Sequence, residues 1–380
     1  MSERFTEHRR IRVLHVLGEG RLTGVHQYEL DLCAALPRDR FRVDICFMLP
    51  GPLLPVAESM GLHTAVAVWN KPNDLRAAWR FASYLHVGDF DVLHAHQSWR
   101  RLRVVARRCG IKHIINHIHH VPSEEELPDH RGGLDSWLRT ATTYCDRCIA
   151  DSEFVRDQLQ ANRDGANGKI DLVQPGLDFS HWKNRPSTAE AKAALQILPE
   201  QPVVGMVGRL GHVRRLDLFL ELAAAVREQR PQTVFIICGE GDLRAELEAK
   251  ADALGITRNV RFLGWRRDLV EVMSAFDVYA LTTVTDVFAR YALEPMALGI
   301  PVVGFAVGSL PSWVEHGQTG FLAPLKNIPM MRDSILHLID HPEERLAMGE
   351  TARQRCQMQY DISLPALKIH SLYDSLLAAR

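Results

Sequence analysis

Two carboxylates, Asp286 and Glu294, flank seven mostly apolar residues in T-D-V-F-A-R-Y-A-L-E-P-M-A-L-G-I-P-V-V-G, Thr285 to Gly304. Carboxylates accept hydrogen bonds from neighbouring hydroxyls, so the pair suits a polyol. A second group is cationic: Gly208-Arg209-Leu210-Gly211-His212-Val213-Arg214-Arg215 gathers three arginines in one loop. Unpaired N–H groups at a helix start, the helix dipole and the bidentate guanidinium all favour phosphate. The loop is not a Walker A sequence, since GxxxxGK[ST] does not occur. Taken alone, Asp286 reads as a helix cap, Glu294 as a surface residue and the arginines as a solvated turn. Taken together, acids for hydroxyls beside cations for phosphate describe one ligand with both groups.

These residues need a scaffold, and the chain supplies it twice. Ile11 to Leu17 reads as a strand, Gly18 to Gly24 as a loop, Val25 to Leu36 as a helix and Phe41 to Met48 as the next strand. The plan repeats with a strand at Val203 to Val207, the arginine loop, a helix over Leu216 to Glu228 and a strand from Thr233 to Cys238. Further strands are expected at 92–94, 114–115, 260–263, 278–281 and 301–303. Strands alternating with helices predict parallel sheets covered on both faces, and two such starts predict two doubly wound domains. Ligands of such sheets bind beyond the C-terminal strand ends, where the arginine loop and the 282–287 loop both fall. A helix is expected from 288–292, with Glu294 about one turn inside and Pro295 in its early part, where a missing N–H costs little. The boundary is read as residues 1–182 and 183–363, marked by Lys183-Asn184-Arg185-Pro186-Ser187 with Ser187 as a helix cap. Periodicity leaves open which domain takes the last helix, about 364–380; a return to the N-terminal domain is one expectation.

The chain has 380 residues, 46% apolar and 24% charged, as expected of globular domains with real cores. A formal net charge of −1 gives no overall case for nucleic acid. The basic run Arg100, Arg101, Arg103, Arg107, Arg108 and Lys112, followed by Glu124-Glu125-Glu126, reads as a solvated helix face, the alternative being a patch for an anionic acceptor or a membrane surface. Seven cysteines do not make a disulfide scaffold, Met1 to Arg12 is too polar for a signal peptide, and no apolar run spans a bilayer. A cytoplasmic protein with peripheral contact at the inner membrane face is the expectation.

Other signals read as structural. Asp89-Phe90-Asp91 precedes a buried strand, and Cys145-Asp146-Arg147-Cys148 has no second pair at zinc spacing. His117 and His119 fall on one face of a strand and His120 on the other. With no acids at fixed spacing along that segment, it is read as metal-free. Trp99, Trp137 and Trp182 are read as packing residues.

The motifs together resemble the retaining glycosyltransferases of the GT-B fold, family 4, also described as glycosyl transferases group 1. The family's E-x7-E stretch is similar to Asp286–Val303 here. Gly317-Gln318-Thr319-Gly320-Phe321-Leu322, Gly208-Arg209-Leu210, Gly239-Glu240-Gly241-Asp242, Phe262-Leu263-Gly264, Asp91-Val92-Leu93-His94-Ala95-His96 and Ala150-Asp151-Ser152 also look like family landmarks. The resemblance covers nearly the whole chain. It implies two Rossmann-like doubly wound domains facing a central cleft, the N-terminal one on the acceptor side and the C-terminal one binding the donor. It implies that Arg209 and Arg214 neutralise the donor diphosphate, that Glu294 binds the ribose, and that Asp286 holds hydroxyls of the transferred sugar. By the same likeness, amides of Phe288, Ala289 and Arg290 contact sugar or diphosphate, Leu263 and Gly264 lie near the base, Gly239 belongs to the donor loops and Gly24 lets the N-domain loop approach. His119 matches the family's active-site histidine. The chain departs from the pattern in Asp286 for Glu, Val287 and Ala289 for Gly, Thr23 for the first Gly of a pair, and Arg215 for Gly. The implied function is metal-independent hexosyl transfer from a nucleotide-sugar, UDP favoured, to an unknown hydroxyl acceptor in a polysaccharide, a lipid-linked glycan or a metabolite. The nucleotide-sugar enters as substrate, and no cofactor is implied. The rivals are a nucleotide-sugar epimerase or phosphorylase of the same fold, and a non-catalytic nucleotide-sugar-binding relative.

Overall fold

A computed structural model describes residues 9–20, 23–69, 71, 74–96, 99–119, 121–122, 133–161, 169–285, 288 and 290–378. Asp286, Val287, Ala289, His120 and Glu124-Glu125-Glu126 lie outside the described residues. The chain divides into two units, residues 1–176 with 362–380, and residues 177–361.

The first unit runs β1 (Ile11–Glu19), α1 (Gly24–Ala35), β2 (Phe41–Leu49), α2 (Leu53–Ser59), β3 (His63–Val66), α3 (Leu75–Gly88), β4 (Val92–Ala95), α4 (Arg100–Arg108), β5 (His113–Ile118), α5 (Gly133–Thr142), β6 (Arg147–Ala150), α6 (Glu153–Ala161) and β7 (Ile170–Leu172). The second runs α7 (Thr188–Ala194), β8 (Val203–Val207), α8 (Leu216–Gln229), β9 (Val234–Cys238), α9 (Arg244–Ala253), β10 (Val260–Gly264), α10 (Leu269–Ser274), β11 (Val278–Leu281), α11 (Arg290–Ala297), β12 (Val302–Phe305), α12 (Leu310–Trp313), β13 (Gly320–Ala323), α13 (Ile328–Asp340) and α14 (Pro342–Gln359). The final helix, α15 (Ser363–Ala378), returns to the first unit, where it meets α1.

The sheet orders are β3-β2-β1-β4-β5-β6-β7 and β10-β9-β8-β11-β12-β13, and every strand pairing within them is parallel. Strand order reverses between β1 and β4 in one sheet and between β8 and β11 in the other, the doubly wound arrangement. Strands such as Val-Phe-Ile-Ile-Cys (β9) and Val-Tyr-Ala-Leu (β11) are buried at every position because helices cover both faces. In the second unit Val203, Ile236 and Tyr279 point into one apolar layer, and Val204, Phe235 and Val278 into the other. In the first, Leu14, Val16, Leu93 and Ile114 pack with Phe81, Leu85 and Leu102 of α3 and α4.

The chain crosses after Gly176 rather than at Trp182, because Leu177, Phe179 and Trp182 bury their side chains in the second unit's core. Ser187 does cap α7, in a reciprocal capping box with Glu190. Pro295 lies well inside α11 rather than in its first turn, since the helix begins at Arg290. Trp99 and Trp69 meet edge to face at 6.2 Å, and Trp137 and Trp182 are buried. The basic run is less solvated than its composition suggests. Arg103 is fully buried and donates to the Thr143 and Thr140 carbonyls, Arg107 pairs with Asp146 at 2.8 Å, and Arg100 stacks on Tyr144. Arg108 and Lys112 remain exposed.

Candidate active site

In the second unit, four neighbouring strands end at one rim. The loop after β8 rises from Gly208 (φ 156°) through a short 3-10 turn, His212–Arg214, into α8. Gly208 N–H donates to the Cys238 carbonyl at 2.9 Å, Gly239 N–H to the Gly264 carbonyl at 2.8 Å, and Leu210 N–H to the Glu240 carbonyl at 2.9 Å. These bonds lace the loops after β8 and β9 to the end of β10. A Cβ on Gly239 would stand 2.0 Å from the Gly208 carbonyl oxygen, so only glycine permits this contact. Leu263 and Gly264 close β10 beside Gly239.

Across the reversal, Thr282 directly after β11 is fully buried and donates to the carbonyls of Arg214 and Arg215 at 3.3 and 3.1 Å. The arginine loop is thereby tied to the segment leading to α11. Phe288 is buried just ahead of that helix. Arg290, 7% exposed, donates from Nε to Glu294 Oε1 at 2.7 Å, one turn along α11. The Arg214 guanidinium lies 3.5 Å from the centre of the Tyr291 ring on the same helix. Among the described residues Arg209 pairs with the exposed Asp242, at 3.1 Å.

The three loop arginines therefore do not act alike. Arg215 turns away onto Asp217, in a bidentate pair with its closest contact at 2.6 Å. Its backbone sits at φ 47°, ψ 49°, the left-handed region that glycine occupies without strain. Thr23, the other described departure near a glycine position, serves as N-cap of α1 and accepts from His26 N–H at 3.3 Å, with Gly24 as the first helical residue.

The first unit holds His119, and the structure corrects the reading of its surroundings. His15 on β1, His94 and His96 around β4, and His117 and His119 around β5 share one sheet face, because alternate residues of adjacent strands point the same way. Acids absent from the local sequence arrive from elsewhere. Asp151, after β6, accepts from His117 Nε2 at 2.7 Å and His119 Nδ1 at 2.8 Å. Glu29, from α1, lies 3.2 Å from His119 Nε2 and 3.5 Å from His96 Nδ1. Tyr373, from α15, contacts His94 Nδ1 at 2.6 Å and His15 Nε2 at 3.0 Å. All of these residues are less than about one-tenth exposed. The repeated His-x-His on β4 and β5 was the available sequence signal; the partners on α1 and α15 gave none.

Nitrogens of His15, His94 and His96, and of His96, His117 and His119, come within 4.8 Å of one another, close enough for a metal to be considered. His96 Nδ1 and His119 Nε2 are 2.9 Å apart in rings that are coplanar within 2° with centroids at 5.1 Å, so the two nitrogens face each other head-on. Half of 2.9 Å is far short of a zinc–nitrogen bond of about 2.0–2.1 Å, so the geometry is that of a shared proton.

Protonation follows from the same contacts. Burial, then the neighbouring His117, brings His15 down to about 3. Burial, then the other rings, also lowers His94, His96 and His117. Burial would lower His119 too, but Asp151 and Glu29 outweigh it and hold the ring up to about 10. Burial works to raise the Asp151 carboxyl, and His119 and His117 overcome it and keep it below the usual range. These directions favour a charged ring at His119 and neutral rings around it.

Two sequence profiles cover most of the chain: Glycosyltransferase Family 4 over residues 22–181 and Glycosyl transferases group 1 over residues 187–355. A D-inositol 3-phosphate glycosyltransferase of Corynebacterium urealyticum is 31% identical over 242 residues, 61% of this chain and 57% of that protein. The UDP-Gal:alpha-D-GlcNAc-diphosphoundecaprenol alpha-1,3-galactosyltransferase of Escherichia coli is 22% identical over 381 residues, 96% of this chain and 97% of its own. The solved structure of Anabaena Alr3699/HepE, in complex with UDP and glucose, superposes with a TM-score of 0.84 over 96% of this chain and 100% of that one, at 20% identity. With two doubly wound parallel sheets and both profiles matched in order, the chain belongs to the GT-B glycosyltransferases.

Proposed function

We propose that this protein is a retaining glycosyltransferase that moves a sugar from a UDP-sugar to a hydroxyl acceptor, without a metal. The observation that carries the reading is the second unit's rim, where Arg209 and Arg214 on the loop after β8 and the Arg290–Glu294 pair on α11 flank the strand reversal. Arg209 and Arg214 are the groups for the diphosphate, and Glu294 accepts from the ribose hydroxyls. As the glycosidic bond breaks, charge grows on the departing phosphate while the sugar becomes oxocarbenium-like. Guanidinium groups and helix amides at the rim stabilise that charge. In this scheme the departing phosphate oxygen takes the acceptor's proton, and no protein nucleophile is used. Asp286 and His119 serve the transferred sugar.

UDP is favoured because UDP or a UDP-sugar is named in the E. coli relative and the Anabaena complex. The acceptor classes that fit are an inositol phosphate and a lipid-linked glycan, as named for the relatives. No described helix is long and apolar enough to cross a membrane. A peripheral contact at the cytoplasmic face of the membrane suits α3, where Leu75 and Trp79 are 73% and 72% exposed beside Arg76 and Arg80.

The first test is thermal stability with UDP, GDP, ADP and dTDP in turn. A nucleotide at about a hundred times its dissociation constant should add ~2.7 kcal/mol. A shift with UDP leads to UDP-sugars with inositol phosphate or lipid-linked acceptors, and to the anomeric configuration of the product. No shift with any nucleotide would sink the proposal.

A further inference from the structure

The buried face of the first unit forms a closed loop of hydrogen bonds. On one side Tyr373 Oη meets His15 Nε2, His15 Nδ1 meets His96 Nε2 at 3.0 Å, His96 Nδ1 meets His119 Nε2 at 2.9 Å, and His119 Nδ1 meets Asp151. On the other side Tyr373 Oη meets His94 Nδ1, His94 Nε2 meets His117 Nδ1 at 3.2 Å, and His117 Nε2 meets the second oxygen of Asp151. Both ring nitrogens of all five histidines are engaged.

The loop has seven hydrogen bonds. A neutral imidazole brings one N–H, a phenol one O–H and a carboxylate none. Five imidazoles and Tyr373 therefore supply six protons for seven bonds. The shortfall falls at Tyr373, whose single proton faces two ring nitrogens. One further proton, taken from solvent, fills every bond.

We propose that this loop stores one proton beyond its neutral complement, and that Tyr373, His15, His94, His96, His117 and Asp151 act as positioning residues that keep it on His119 as an imidazolium. With both nitrogens of His119 donating, every other donor is set: His96 Nε2–H to His15, His15 Nε2–H to Tyr373, the Tyr373 hydroxyl to His94, His94 Nε2–H to His117, and His117 Nε2–H to Asp151. Four histidines thus share one tautomer. His119 is the resting place because it alone stands between two carboxyl groups, Asp151 and Glu29. The directions in which burial and charge push these rings agree with that placement. Among the described residues, the other titratable groups facing the loop are Tyr28 and Cys33 of α1, both buried and held in their neutral, protonated forms by burial first and by neighbouring charges second. The consequence for sugar transfer rests on the proposed role of His119: the reaction would meet a fixed cation there, not a base.

The test is nitrogen-15 NMR of histidine side chains in the full chain without ligand, assigned by single His→Gln variants. The expected wild-type spectrum near pH 7.5 shows His119 protonated on both nitrogens, and His15, His94, His96 and His117 as Nε2–H tautomers. Tyr373→Phe opens the loop. Five bonds then remain for five neutral imidazoles, so no extra proton is required. His15 and His96 should flip to Nδ1–H, and His119 should titrate at lower pH. A merely structural tyrosine would not change tautomers. A neutral His119 in the wild type, or unchanged His15 and His96 in the Phe variant, overturns the proposal. If the Phe variant does not fold, the wild-type spectrum decides alone. The measurement needs no turnover, so a protein inactive with every sugar nucleotide would end the transferase reading and leave this one standing.

Discussion

Arg290 and Glu294 form an ion pair of 2.7 Å within α11, with side chains 9% and 15% exposed. The pair holds the acid's reach along the rim and sets a counter-charge against a largely buried guanidinium. Glu294→Gln keeps the shape and removes the charge. Losing one partner of a buried pair costs ~3–5 kcal/mol, and Gln still accepts a hydrogen bond, so ~2–3 kcal/mol of stability should go. Losing a charged acceptor for ribose should weaken UDP ~10–100-fold. Urea melts and calorimetric UDP titrations of the same sample separate the two effects. Unchanged UDP affinity would remove Glu294 from the ribose site.

Arg209 and Arg214 should respond differently. Among the described residues Arg209 pairs with the exposed Asp242, so Arg209→Ala should cost less than ~1 kcal/mol in stability while nucleotide binding is lost. Arg214 is oriented by the Tyr291 ring, 3.5 Å from its centroid. Tyr291→Leu removes an attraction of ~0.5–2 kcal/mol, which should raise the donor KM ~2–30-fold with kcat less affected. A kcat loss at constant KM would mean that Tyr291 acts in the reaction step instead.

The doubly wound scaffold was legible because most of its strands are apolar runs ending in a glycine-rich or polar loop, as at Val207-Gly208 and Cys238-Gly239; the edge strands β3 (His-Thr-Ala-Val) and β7 (Ile-Asp-Leu) lack that pattern and went unread. The rim of the second sheet was legible for the same reason, since strand ends and helix starts are marked in sequence. The histidine face was not. His15 and Tyr373 touch across nearly the whole chain, and Glu29 and Asp151 reach His119 from α1 and from beyond β6, so neither acid that pairs with His119 stands near it in sequence. Arg103 also misled: a charge on a basic helix reads as solvated, yet its five donors allow it to be buried against backbone carbonyls. The left-handed backbone at Arg215 has no signature in its own side chain.

The opposite end of the second sheet's central strands offers a control. Asp277, 7% exposed, accepts from Val203 N–H at 2.8 Å, pairs with the buried Lys192 at 2.8 Å and takes Arg345 at 3.1 Å. It joins α7, α14 and the starts of β8 and β11. Asp277→Ala strands a buried ammonium and a backbone donor, so ~3–5 kcal/mol should be lost, or ~6–20 °C in the second unit's melting transition. UDP affinity measured well below that transition should be unchanged, because Asp277 lies at the strand starts and the rim at their ends.

Stability against pH should have an uneven peak near pH 6.5–7. His15, His94, His96 and His117 have folded values below the ordinary 6.5, so their contribution is present above 6.5 and lost as pH falls. Each unfolded imidazole that takes up a proton the folded one refuses costs ~1.4 kcal/mol per pH unit, and four acting together approach ~5 kcal/mol per unit. Asp151, held low in the folded state, adds to the acid arm below the ordinary carboxylate value of 3.8. His119 has the opposite sign. Its folded value of about 10 lies above 6.5, so its contribution is full below 6.5 and is lost as pH rises toward 10. That arm falls by only ~1.4 kcal/mol per unit, because one group carries it. Urea melts at half-unit steps from pH 5 to 9.5, with proton uptake on unfolding measured at pH 5.5, check both arms. Uptake well above one proton at pH 5.5 is expected; uptake near zero would mean that the four rings are already charged in the folded protein. Tyr373→Phe should flatten the alkaline arm and leave the acid arm steep, since it releases the need for the extra proton and keeps the neutral rings buried.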